Sequence, residues 1–383
     1  MITFQYILLH FLLLCILFVF CRKISCAKND SNYWKLAFFP MVAYTLEEGL
    51  RWGREIDWNL YYDVYNTLAS GGWTGHEPLF SLMWKLCGIL QFPYPLVITL
   101  SSLLFIYSLF FFFKPYRNVI WIAIPLSVAS HIVTSSNLIR WYMAISFCLI
   151  SFALYRSKKN ILGLLFFSGA FLTHYAMLPM CLFFLLCNRK KPISRPSIAI
   201  VVCLVLILFF DKSLLVYLGP IFRLFENVNR FTQYFDRGIS GLMSQSEETK
   251  SLAMTFFSFI PYIAFIMYGN RLCKKNMIPW FYYNMVVVAS YLKIISAGME
   301  LFGRYYYVID FFVCLMAAHV VAYLKVTHKK MIGKILFAFC ILFFIRKAIY
   351  MCTPFQYDEM MLYVWNTQID PQELYYFRQG LLK

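Results

Sequence analysis

Between Glu47 and Phe80 the sequence reads EEGLRWGREIDWNLYYDVYNTLASGGWTGHEPLF, a charged island in a chain that is otherwise mostly apolar. Within it, Asp57 and Glu77 are proton-transfer groups, and His174, on the His174-Tyr175 turn between two apolar runs, is a third. A carboxylate or an imidazole deprotonates a hydroxyl when burial and neighbours tune its pKa. Arg51, Arg140 and Arg304 offer a different chemistry. Guanidinium stays charged when partly desolvated and pairs bidentately with phosphate oxygens, so the three suit a multiply charged anion such as a lipid diphosphate. Each residue also has a structural reading. A lone arginine can snorkel or pair with a carboxylate, Asp57 and Glu77 can pair with Arg51 or Arg54, and His174 can be a satisfied interfacial histidine. The aromatics Trp52, Trp58, Tyr61, Tyr62, Tyr65 and Trp73 can stack on sugar faces or form an interfacial belt.

The elements that must position these residues are membrane helices. The chain of 383 residues is 61% hydrophobic, 20% aromatic and 14% charged, with a mean hydropathy of +0.64. A soluble domain carries nearer a quarter charged residues. Apolar runs near the length that crosses a hydrocarbon core recur throughout. They predict an all-α polytopic membrane protein with about 12 transmembrane helices (range 10–13), near 3–21, 36–50, 94–113, 118–134, 138–155, 160–173, 175–188, 197–211, 252–269, 277–297, 304–324 and 332–350. The first run, Phe4 to Cys21, has neither a basic segment before it nor a small-residue cleavage motif after it, and is expected to be a helix that stays. The pair at 160–188 is short enough to be kinked or re-entrant around His174, and Ser81 to Leu90 is too short to span. The expected organisation is one transmembrane domain over residues 1–351, with outer segments at 51–93 and 211–250 and a tail at 352–383.

Charge sets the orientation. Basic residues cluster in alternate loops: Arg22 to Lys35, Lys114 and Arg117, Arg156 to Lys159, Arg189 to Arg195, Arg271 to Lys275, and Lys325 to Lys334. Asp30 is the one acidic residue among them, and by the positive-inside rule that side is cytoplasmic. The island, His174, the loop Asp211 to Lys250, the Arg304 segment and both termini are then extracytoplasmic. Because the formal charge of +17 is distributed in this way, it gives no reason to expect nucleic acid as a partner. In the long loop, an amphipathic run from Leu214 to Phe235 carrying Arg223 is expected as a lid or as an interfacial helix on lipid.

Twelve cysteines show no C-x-x-C pair and no Cys/His ligand spacing, so neither a disulfide framework nor a zinc site is expected. No P-loop, dinucleotide fingerprint, H-E-x-x-H or G-x-S-x-G occurs, and no cofactor is called for. Asp310 is the clear carboxylate within a span, which weakens the case for a coupled transporter.

The ordered set Arg51…Gly53-Arg54…Asp57…Tyr61/Tyr62…Tyr65, Glu77-Pro78-Leu79-Phe80, Arg140…Ala144, FLTHYAMLP from Phe171 to Pro179, and Gly303-Arg304-Tyr305 resembles the EpsG-like branch of the Wzy-type polysaccharide polymerases. This chain departs from the family pattern in having Asp57 four residues after Gly53 and Trp141 after Arg140. The resemblance implies a GT-C-like helical bundle in a bacterial plasma (inner) membrane, with short interfacial helices on the outer face. The implied activity is inverting glycosyl transfer that joins undecaprenyl-diphosphate-linked oligosaccharide units for O-antigen, capsule or exopolysaccharide. Arg51, Arg140 and Arg304 would hold the leaving diphosphate, and His174, Asp57 or Glu77 would be the base. Arg54, Trp58, Tyr62, Tyr305 and Arg223 would meet sugar or lipid. Expected partners are the lipid-linked oligosaccharide, the bilayer, a chain-length regulator and a flippase. Competing readings are an O-antigen ligase, a lipid-linked oligosaccharide flippase and a membrane O-acyltransferase.

Overall fold

A computed structural model describes residues 2–53, 57–209, 252–296, 300–327, 330–352 and 362–366. Among them the chain is helical apart from one two-stranded ribbon. A chain in hydrocarbon must satisfy every backbone N–H and C=O internally, and helices do this within a single segment. Helices lie at all twelve stretches where spans are expected. By length and composition, three stretches among the described residues are long and apolar enough to cross a bilayer: Phe4–Ile24, Tyr94–Asn137 and Phe302–Thr327. The helices around 160–173, 175–187 and 196–208 are apolar but shorter.

The chain forms two compact units, Met1–Pro179 with Phe344–Lys383, and Met180–Phe343. In the first unit, α1 (Ile2–Ile24), α2 (Asp30–Gly49), α5 (Tyr94–Phe113), α6 (Ile120–Asn137), α7 (Ile139–Arg156) and α8 (Asn160–Thr173) run back and forth between two ends. β1 (Arg51–Trp52), α3 (Trp58–Ala69) and α4 (Pro78–Ile89) lie between α2 and α5. The turn between α5 and α6 is a 3-10 segment, Lys114–Val119, kinked at Tyr116.

The ends differ in charge. At one, Lys114 Nζ lies 2.7 Å from Asp30 Oδ2, Arg117 donates to the Ala27 carbonyl at 3.1 Å, and Arg156 donates to the Tyr116 hydroxyl. The hydrogen bond from Lys114 holds the Asp30 carboxyl below its ordinary range. The one acidic residue of the basic loops is thus tied to their cations. At the other end are Glu47, Glu48, Arg51, Glu77, Arg140 and His174. A core of Trp58, Tyr61, Tyr65, Phe80, Trp84 and Tyr94 supports that end, closed by Ile139 and Met143 of α7.

The described C-terminal strand β2 (Leu362–Tyr363) pairs antiparallel with β1, Arg51 opposite Tyr363 and Trp52 opposite Leu362. Val364 of the following 3-10 turn (Val364–Asn366) donates its N–H to the Leu50 carbonyl at 2.8 Å.

The second unit contains α9 (Met180–Cys187), α10 (Pro196–Phe209), α11 (Leu252–Lys274), α12 (Trp280–Ile295), α13 (Glu300–Thr327) and the first part of α14 (Met331–Cys352). Buried Asn284 fastens its 187–193 turn, accepting from Ile193 N–H at 2.8 Å and donating to the Cys187 carbonyl at 3.0 Å.

Close approach of α2 and α5 sets the height of β1. A Cβ at Gly49 would lie 2.4 Å from Thr99 Oγ1 and 2.7 Å from Thr99 Cα, so only glycine lets the helices meet there. Gly49→Ala is expected to destabilise the detergent-solubilised protein by about 1–3 kcal/mol through overpacking, read as a lowered midpoint in thermal unfolding. An unchanged midpoint would mean that α2 and α5 do not pack this closely.

Candidate functional site

The charged island resolves into two buried polar knots. In the first, the short step from Gly49 to Arg51 turns the end of α2 into β1 and folds Arg51 back over its own helix. Arg51 Nη1 donates to the Glu48 carbonyl at 2.6 Å and lies 3.2 Å from Glu48 Oε2, while Nη2 donates to the Ser136 carbonyl of α6 at 3.4 Å. Ser136 Oγ donates to the same Glu48 oxygen at 2.6 Å. Glu47 turns the other way. Its Oε1 accepts from the Tyr363 hydroxyl at 2.7 Å and lies 3.1 Å from His10 Nδ1. The Tyr6 carbonyl is 3.0 Å from the same nitrogen, so His10 faces two acceptors there and carries its proton at Nδ1. Relative exposures of 1% for His10 and Glu48 and 3% for Arg51 remove the knot from solvent. At that depth a carboxylate persists only when paired and hydrogen-bonded.

His10, Glu47 and Glu48 each bring one ligand atom within 4.8 Å of the others, the grouping among the described residues that can hold a metal ion. The Arg51 guanidinium already lies against Glu48, and a divalent cation there would meet its repulsion. A cavity of about 10 Å³ beside Glu48 and Arg51, lined also by Ser102, Ser135 and Tyr142, has room for about one water.

The second knot joins α4, α7 and the break after α8. Glu77 precedes Pro78, which forces extended backbone on it (φ −59°, ψ 147°) and places its carboxylate at the start of α4. Arg140 sits in the first turn of α7, just past the break at Leu138 (φ −94°, ψ 53°). Its Nη1 donates to Glu77 Oε2 at 2.8 Å, and its guanidinium carbon stands 5.9 Å from the centre of the Phe80 ring. His174 ends α8 in extended backbone, and its Nδ1 lies 3.8 Å from Glu77 Oε1. That nitrogen also accepts the Ala176 N–H at 3.3 Å, capping the 3-10 turn Tyr175–Met177. An Nδ1 that accepts a hydrogen bond leaves the ring proton of neutral His174 on Nε2. Trp141 packs edge-on against the imidazole with 4.9 Å between centroids. Glu77 and His174 are buried, and the Arg140 side chain is 15% exposed.

The structure therefore brings together Glu77, Arg140 and His174. Arg51, expected at a phosphate, has both terminal nitrogens on Glu48 and Ser136. Asp57 is half-buried just before α3, and its backbone N–H donates to Asn137 Oδ1 at 3.0 Å, three residues before Arg140. Trp58 is 2% exposed, with Trp52, Tyr62 and Tyr94 rings around it, so its faces meet protein. Arg304 and Tyr305 lie on α13 of the second unit, where Tyr305 is buried against Phe183. Arg54 and Arg223 fall outside the described residues, as does the 211–250 loop.

Five residues of the first knot, His10, Glu47, Glu48, Ser136 and Tyr363, are not among the site residues expected from sequence. His10 did carry a signal, as the one residue in the apolar run Phe4 to Cys21 whose ordinary titration falls near neutral pH. Tyr363 carried none, since it meets Glu47 across 316 positions.

Removing one partner of a buried ion pair leaves an uncompensated charge and costs about 3–5 kcal/mol. Arg51→Ala is therefore expected to unfold far more easily in detergent than wild type, and Arg51→Ala with Glu48→Gln to regain part of the loss. If the single substitution leaves the unfolding midpoint unchanged, the pair does not hold this end together.

A family model described as the EpsG family matches residues 34–365, a range that contains every member of both knots except His10. No curated protein and no solved structure matches the chain. The family match covers most of the sequence and agrees with the apolar helices, so the chain belongs to the EpsG family, as a multi-pass, polysaccharide-polymerase-like membrane protein.

Proposed function

We propose that the protein joins undecaprenyl-diphosphate-linked oligosaccharide units by inverting glycosyl transfer at the outer face of the plasma membrane. The observation that carries this reading is the Glu77–Arg140–His174 knot, a partly exposed cation paired with a buried carboxylate beside a buried imidazole at the acidic end of the first unit. In this account the basic end is cytoplasmic, and the acidic end and both termini are extracytoplasmic.

The reaction forms one C–O bond and breaks another. An acceptor hydroxyl attacks the anomeric carbon of the donor sugar from the side opposite the diphosphate, which leaves with the electron pair of the old bond. Negative charge develops on the departing diphosphate, where Arg140 stabilises it and Glu77 keeps the guanidinium oriented. His174 acts as a donor: with Nδ1 capping Ala176, its neutral ring offers Nε2–H rather than a lone pair. The base is then Asp57, half-buried and tied through its backbone to the α6–α7 junction that carries Arg140. It takes the hydroxyl proton as the new bond forms.

Deleting the gene is expected to reduce long surface glycan to single capped repeat units, and Arg140→Ala to do the same with the protein still inserted in the membrane. Unchanged chain length would refute the polymerase reading. Long lipid-linked polymer that is no longer passed to its final acceptor would point to a ligase. Among the finer roles, Asp57→Asn is expected to lose about 10²–10⁴-fold in rate. His174→Gln, which keeps an N–H near the Nε2 position, should retain much of the activity that His174→Ala loses. A His174→Gln variant as inactive as His174→Ala would make His174 the base.

A further inference from the structure

We propose that the strand and turn at residues 362–366 form a positioning element of the active site, with Tyr363 as its key residue, and not an appendage to the membrane unit. That this end is an active site rests on the polymerase reading; the positioning rests on separate observations.

Two residues of β-ribbon are too few to stand alone, because an isolated two-stranded pair is marginal at best in water. Something else must fix β2, and Tyr363 does so. Its side chain is buried to 1% exposure, its hydroxyl donates to Glu47 Oε1 at 2.7 Å, and its ring stacks on Trp365 with 4.6 Å between centroids. The backbone adds the β1–β2 pairing and the bond from Val364 N–H to the Leu50 carbonyl at 2.8 Å. Both flanks of Arg51, Leu50 and Trp52, are thus held by the C-terminal segment.

From there a bonded path leads to the reacting groups. Arg51 is fixed opposite Tyr363, and its guanidinium grips the Ser136 carbonyl and, through Glu48, the Ser136 hydroxyl. Ser136 adjoins Asn137, whose side chain holds the Asp57 backbone. The helix break at Leu138 follows, and then Arg140 on Glu77. Each link is a strand pairing, a hydrogen bond, an ion pair or a step of one or two residues along the chain. None of Tyr363, Glu47 or Glu48 needs to touch substrate for a shift in β1 to reach Asp57 and Arg140. The C-terminal segment also covers the backbone edge of β1 with which it pairs.

The test uses the full chain in lipid nanodiscs with two variants, Tyr363→Phe and a stop codon in place of Leu362. Hydrogen exchange over residues 47–53 and 362–366 reports the strand, and turnover of a lipid-diphosphate-linked repeat unit, per folded protein, reports the site. In wild type both segments should exchange slowly. Tyr363→Phe should speed exchange in both, and the truncation should speed it over 47–53. Turnover should fall about tenfold or more on truncation, as a small misplacement remote from the chemistry does, and less in Tyr363→Phe. KM for the repeat unit should change little in either, because the segment does not bind it. A purely structural role would lower the amount of folded protein and leave turnover per folded molecule intact. Wild-type turnover in the truncated protein, or exchange over 47–53 that the truncation does not alter, overturns the proposal. If wild type itself joins no repeat units, the polymerase reading fails, and the exchange data still decide whether Tyr363 positions β1.

Discussion

The pairing of Arg51 with Glu48 is the constraint on which the rest of this end depends. Two charges at 1–3% exposure carry a large desolvation penalty, which the 3.2 Å contact and the surrounding hydrogen bonds offset. The pair is local in sequence, three residues apart, but Ser136 of α6 completes it, donating to Glu48 and accepting from Arg51. That requirement brings Ser136 to the end of α2, and with Ser136 come Asn137, the break at Leu138 and Arg140. The Glu77–Arg140 pair is the second consequence, because Arg140 can meet α4 only when the α6–α7 junction sits at this height. Gly49 permits the same geometry from the other side by letting α2 lie against α5.

The two knots divide the work of charge between them. The first is closed: its carboxylates and guanidinium face one another, His10 or Tyr363, and its small cavity has room for about one water. The second is more open, with Arg140 at 15% side-chain exposure. A site that must stabilise a departing diphosphate needs a preorganised cation with some approach from outside, and the second knot meets that description. The first serves better as its foundation.

Much of this was legible in the residues. Helix positions followed from apolar runs, and the helix break at His174, the helix start at Pro78 and the opposed charge of the two ends all had local signals. The grouping of Glu77, Arg140 and His174 as site candidates rested on their placement at apolar-run boundaries and on the family pattern. Their direct contact is a tertiary fact that neither source contained. Three things were less legible for physical reasons. Arg51 sits in the same island as Glu77, and nothing local distinguishes an arginine turned inward onto Glu48 from one turned out toward an anion. Trp58 has the composition of a sugar platform, yet its neighbours Trp52, Tyr62 and Tyr94 surround it. Tyr363 lies in a tail with no periodic pattern, and only its long-range contacts with Arg51 and Glu47 give it meaning.

The central claim is that the acidic end catalyses displacement of a lipid diphosphate by a sugar hydroxyl. The most direct measurement supplies purified protein in nanodiscs with a lipid-diphosphate-linked repeat unit of known anomeric configuration, and follows the products. The account predicts one free lipid diphosphate for every glycosidic bond formed, with inverted configuration at the new anomeric centre. Retention of configuration, or movement of the lipid-linked unit with no bond formed, would contradict it.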